Sequence, residues 1–94
     1  MPMVTANAAV KEIPSMVRKL KPGYSIELKT FKKDRGLEIS KNADGRIFMK
    51  EFGFVNGKTE IDISDIDHVF KEAFYREFPR SHEVRYSTRR TDGT

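Results

Sequence analysis

The stretch from Ser64 to Phe78 constrains the fold more than any other. Ile66, Val69, Phe70, Ala73, Phe74 and Phe78 recur at spacings of three and four, so they share one face of a helix. Ser64 is placed to cap the first free N–H groups, with Asp67 three residues on in a capping-box position. Asp65 and Asp67 suit the positive end of the helix dipole. Pro79 ends the helix because it has no N–H to donate and restricts Phe78 before it. A stripe holding three phenylalanines needs a broad apolar partner, and a sheet supplies one.

The preceding residues supply that sheet. Tyr24, Ile26 and Leu28 alternate with Ser25, Glu27 and Lys29, the period of a half-buried strand. The charged run Lys32-Lys33-Asp34-Arg35-Gly36 reads as a loop, followed by a second strand with Leu37 and Ile39 facing inward. Asn42-Ala43-Asp44-Gly45 makes the next turn. A third strand over 46–55 carries apolar groups on both parities: Ile47, Met49 and Val55 on one, Phe48, Phe52 and Phe54 with Lys50 on the other. Such a strand is central or strongly covered, and Gly53 marks a bulge. Asn56-Gly57 predicts a two-residue type I′ hairpin into a fourth strand over 58–63.

The ends carry weaker signals. Residues 1–9 read as a flexible lead-in and 89–94 as a flexible tail. Val10, Ile13, Met16 or Val17, and Leu20 recur at helical spacing, but Pro14 interrupts them. Placing Pro14 in the first turn, where its missing N–H costs nothing, gives a short helix over 13–20. Lys21-Pro22-Gly23 then breaks the chain. Residues 81–87 alternate weakly, as an edge strand or a docked tail. The expectation is one α+β domain over 1–94: a short N-terminal helix, a four-stranded antiparallel meander, a long amphipathic helix on one sheet face and a short C-terminal extended segment.

A meander running straight into a long helix is similar in layout to two families of single-stranded-DNA binders, the transcriptional positive coactivators and the purine-rich-element-binding proteins. The likeness lies in the order of elements alone, and the extra N-terminal helix departs from it. It implies an open sheet face that receives unpaired bases.

Composition narrows the chemistry. No cysteine is present, which removes disulfides, thiolate nucleophiles and thiolate metal sites, and fits a reducing cytoplasm. No apolar run approaches the ~20 residues of a membrane span, and the first ten residues lack the basic start and apolar middle of a secretory signal. Only His68 and His82 titrate near neutrality, so an enzyme is not expected. Asp62, Asp65, Asp67 and His68 cluster at the helix start, where the dipole accounts for the acids without a metal. No cofactor is expected either.

The net charge of +4 is unevenly spread. Residues 11–35 carry eight Lys and Arg against three acids, whereas residues 51–75 carry two against six. A basic surface keeps a small protein soluble, and it also attracts polyanions. The sheet face away from the helices shows Glu27, Lys29, Phe31, Glu38 and Ser40, with either Phe48, Lys50 and Phe52 or Ile47 and Met49 from the third strand. Aromatic and basic groups on one sheet face are how several modules stack unpaired bases.

The expected nucleic-acid contacts are Lys29, Lys32, Lys33, Arg35 and Lys50 to backbone, Phe31 and Phe48 for stacking, and Arg80, Arg85, Tyr86, Arg89 and Arg90 from the C-terminal segment. The competing readings are a homodimer seam on that face, cover by the tail, or a docking module for a larger protein partner.

Overall fold

Thr5 opens the first helix by accepting a hydrogen bond from the Ala8 N–H, at 3.2 Å. The computed structural model describes residues 3–29, 36–53, 56–78 and 83–90. In chain order it contains β1 (Met3–Thr5), α1 (Ala6–Lys19), β2 (Tyr24–Lys29), β3 (Gly36–Lys41), β4 (Ile47–Phe52), β5 (Gly57–Ile61), a single 3-10 turn (Ile63–Asp65), α2 (Ile66–Glu77) and β6 (Glu83–Arg90). The strands form one antiparallel sheet in the order β1-β6-β2-β3-β4-β5.

The α+β class with an N-terminal helix, an antiparallel sheet and a C-terminal helix follows the sequence reading. The strand count does not: there are six among the described residues, not four. The added pair comes from the chain ends. Met3–Thr5, expected to be flexible, pairs with β6, and Arg89 and Arg90 lie inside β6 rather than in a loose tail. Nor is β6 an edge strand, since it inserts between β1 and β2 and bonds to both.

α1 is longer than predicted and runs through Pro14. A proline here removes the bond to the Val10 carbonyl, at a cost of ~3 kcal/mol in a helix interior. Burial of Ala9, Ile13 and Val17, four residues apart, offsets it, and Pro14 is itself buried. The helix stops at Leu20, and Lys21 to Tyr24 form a turn closed by the Tyr24 N–H on the Lys21 carbonyl at 3.2 Å. Pro22 sits at its second position and Gly23, with φ 89°, at its third, the pattern of a type II turn.

α2 begins two residues later than predicted. Ser64 is not its cap: Asp62 accepts from the Ser64 N–H and hydroxyl, both at 3.1 Å, and this bond starts the 3-10 turn. Asp67 reaches away to α1, where Arg18 holds it with two hydrogen bonds. Its apolar stripe behaves as read. Ile66, Phe70, Ala73, Phe74 and Phe78 are buried, and the Phe74 ring centre lies 5.7 Å from that of Phe70 and 5.0 Å from that of Phe78.

Both helices cover the same sheet face, α1 over the β1–β6 end and α2 over β3 and β4. The core joins their stripes to Ile26, Leu28, Leu37, Ile39, Ile47, Met49, Ile61 and Val84. Glu51 shares this face and is buried. It is answered by Arg76 of α2, whose Nε donates to Oε2 at 3.1 Å while Nη2 donates to Oε1. The bidentate pair ties the helix to β4 and holds the Arg76 pKa above its ordinary value, chiefly through that hydrogen bond.

Candidate nucleic-acid interface

Cross-strand partners in an antiparallel sheet share a face, so register decides what the uncovered side displays. The turn at Asn42–Gly45 sets it for the third strand. Asn42 N–H donates to the Arg46 carbonyl at 2.8 Å and Gly45 N–H to Asn42 at 2.9 Å, with Gly45 at φ 89°. Lys41 therefore pairs with Ile47, and Ile39 with Met49. Ile47 and Met49 face the helices, while Phe48, Lys50 and Phe52 face outward.

Three rows cross the outer face. One runs Arg85, Lys29, Gly36, Phe52; the next Ser87, Glu27, Glu38, Lys50, Lys58; the third Arg89, Ser25, Ser40, Phe48, Glu60. Neighbouring strands lie about 4.8 Å apart, so each row is a continuous side-chain ladder.

The two halves of this face differ in their electrostatics. Over β6, β2 and β3 the charges close on one another. Arg89 Nη2 lies 2.8 Å from Glu38 Oε2 and 3.9 Å from Glu27, and Lys29 Nζ lies 3.5 Å from Glu27. The hydrogen bond to Glu38 and the charges of both glutamates raise the Arg89 pKa, so its cation is permanent. Over β4 and β5 the cations are freer. Lys50 is exposed, and Lys58 sets its ammonium 5.0 Å from the centre of the Phe48 ring.

Phe48 and Phe52 are both half-buried, four residues apart on β4, and Lys50 stands between them. Gly36 gives Phe52 its seat. A methyl group at Gly36 would meet Phe52 Cε2 at 2.7 Å and the Leu28 carbonyl oxygen at 2.6 Å, so the ring lies flush on the bare backbone.

The predicted contact residues divide. Lys29, Phe48, Lys50, Arg85 and Arg89 share the outer face. Tyr86 and Arg90 do not: Tyr86 pairs with Leu28 and packs on the core, and Arg90 sits over the Tyr24 ring at 6.0 Å, on the helix side. Phe31, Lys32, Lys33, Arg35 and Arg80 lie outside the described residues. The β6 strand lies in the sheet plane and so does not cover the face as a tail would. Lys58 was missed by sequence reasoning, although it sits at the parity opposite to the inward Ile61.

The expected Asn56-Gly57 hairpin is also revised. β4 ends at Phe52 and β5 begins at Gly57, which leaves residues 53–56 between the strands instead of two. Gly53 takes φ 118° and its N–H donates to the Asn56 side chain at 3.3 Å.

Among the described residues no group of three His, Asp or Glu is placed to hold a metal ion. His68 instead meets Glu72, one turn on, at 2.7 Å. No helix among them is long and apolar enough to cross a membrane. No family model, curated protein or solved structure matches the chain.

Proposed function

We propose that the chain is a non-catalytic module that binds single-stranded nucleic acid along the outer face of β4 and β5. The observation that carries the reading is the alternation Phe48, Lys50, Phe52 on one open strand face, with Lys58 alongside. Positions four apart on a strand are about 13 Å apart, which leaves room for bases to stack at both rings with a phosphate over Lys50. Stacking accepts any base, so recognition is by backbone charge and aromatic faces rather than by sequence.

Lys29 and Arg85 share the Phe52 row on the far side of Gly36, and Lys29 is paired with Glu27, so they stand at the margin of the site rather than within it. Lys32, Lys33 and Arg35, which stand between β2 and β3 in the sequence, belong to the same reading by sequence position. The Glu27–Arg89–Glu38 network limits the site to one half of the face, because it opposes a polyanion there.

Fluorescence anisotropy with a labelled single strand and the matching duplex tests this. Binding weakens as salt rises, the single strand binds more tightly, and Phe48→Ala costs about 1–3 kcal/mol of affinity. No binding at low salt, or equal affinity for the Phe48→Ala protein, refutes it. A solution mass measured beside it reads whether one copy or two bind. If a nuclease-resistant protein partner is captured instead, the face is a protein-docking surface.

A further inference from the structure

The helix side of the sheet holds a second concavity, independent of the outer face. Where α1 ends against β2 and β6 a groove of about 390 Å³ remains open, within the range of roughly 300–1,000 Å³ usual for small-molecule sites. Its walls are Met16, Leu20 and Tyr24, each half-buried, and its floor is the fully buried Ile26. The type II turn at Pro22–Gly23 creates the gap, because it carries the chain from the helix end to the sheet without filling the space between.

The charge around this groove has one sign. Lys19 and Lys21 line it, both exposed, and neither ammonium forms an ion pair or hydrogen bond among the described residues. Lys41 lies beside it, donating to the Leu20 carbonyl at 2.8 Å, and Arg90 lies over Tyr24. Among the described residues no acid lines the groove. A helix C-terminus by itself favours cations, but it does not call for half-exposed apolar walls beside them.

We propose that this groove binds a small amphiphilic anion, a carboxylate on an alkyl chain, with the head at Lys19 and Lys21 and the chain on Met16, Leu20 and Tyr24. The groove exists only in the folded chain, so ligand binding stabilises that state by mass action. The positive rim selects the charge and the apolar walls select the tail.

Decanoate, kept below its micelle concentration, is the probe. The expected result is saturable one-to-one binding that shifts the Met16 methyl and Tyr24 ring resonances and raises the melting temperature. Decanol binds about tenfold more weakly, and so does decanoate to the Lys19→Glu/Lys21→Glu protein, because each removes the head-group attraction. Both lysines are exposed, so the ligand-free variant melts as the wild type does; Lys19→Gln/Lys21→Gln replaces it if it does not. Phe48→Ala leaves decanoate binding unchanged, which separates this site from the outer face. Equal binding of decanol, undiminished binding to the charge-reversed protein, shifts confined to other residues, or binding only to anionic phospholipid vesicles overturns the proposal.

Discussion

Replacing Gly36 with alanine tests the geometry on which the outer face depends. The added methyl would stand 2.6 Å from the Leu28 carbonyl oxygen and 2.7 Å from Phe52 Cε2, and closer still to Phe52 Cζ. Ordinary carbon contacts begin near 3.5 Å, so something must move. The carbonyl belongs to the β2 backbone and is held in the ladder, so the Phe52 ring swings off its seat and the strands separate slightly. Forced overpacking of this kind costs about 1–3 kcal/mol. For a domain of this size that lowers the melting temperature by roughly 5–20 °C.

A double-mutant cycle with Phe52→Ala apportions the cost. With the ring gone only the carbonyl contact remains, so Gly36→Ala costs about 1 kcal/mol less in that background. Thermal melts followed by circular dichroism read both numbers. The same substitution weakens oligonucleotide binding, because Phe52 no longer lies flat beside Lys50. A Gly36→Ala protein that melts within about 2 °C of the wild type, or a cost unchanged when Phe52 is removed, refutes the reasoning.

Phe70→Ala and Phe74→Ala each remove a fully buried ring from the core and cost about 3–5 kcal/mol, a large share of a small domain's stability, read as a lower midpoint in chemical denaturation. Arg76→Met leaves the Glu51 carboxylate buried without its partner; because Arg76 is itself 38% exposed, the cost is about 1–3 kcal/mol rather than that of a deep pair, read by the same denaturation. Ser25→Ala is neutral or slightly stabilising, since the buried Ser25 hydroxyl makes no hydrogen bond with any described residue. The Ser64 N–H and hydroxyl hold the Asp62 carboxyl below its ordinary value of 3.8, so its contribution to stability is present above that value and is lost as the pH falls through the lower folded one. Melts of wild type and Asp62→Ala therefore differ by a constant gap down to about pH 4, and the gap narrows below it.

What could be read from the residues was what has a local period. The α2 stripe, the alternation of β2 and β3 and the turn at Asn42–Gly45 each follow from spacing within a few positions. β1 is three residues long, too short to show alternation. β6 looked like a tail because Ser87, Thr88, Arg89 and Arg90 are polar on both parities. It forms because β2 pairs with it six residues deep, a partnership about sixty residues apart in sequence that leaves no local mark. Pro14 misled because propensity is a local cost, whereas the burial of Ala9, Ile13 and Val17 that outweighs it belongs to the tertiary structure.

The candidate site was half legible for the same reason. Two outward sets were open for β4, and the register from Lys41 to Ile47 decides between them. Tyr86 and Arg90 were grouped with Arg85 and Arg89 by sequence proximity, yet strand alternation sends them to the helix side. The charge pattern foresaw cations but not their neutralisation, because Glu27, Glu38 and Arg89 meet only across three paired strands.

By the proposal above, the half of the sheet that carries Phe48, Lys50, Phe52 and Lys58 receives a single strand. The most direct measurement is the dissociation constant of a short single-stranded oligonucleotide over a range of salt, for the wild type and for Lys50→Ala/Lys58→Ala. With two to four phosphate contacts, log affinity falls with log salt at a slope of roughly −1.5 to −3, and removing the two lysines makes it shallower by about 1.4. An unchanged slope in the double variant, or an affinity indifferent to salt, contradicts the account.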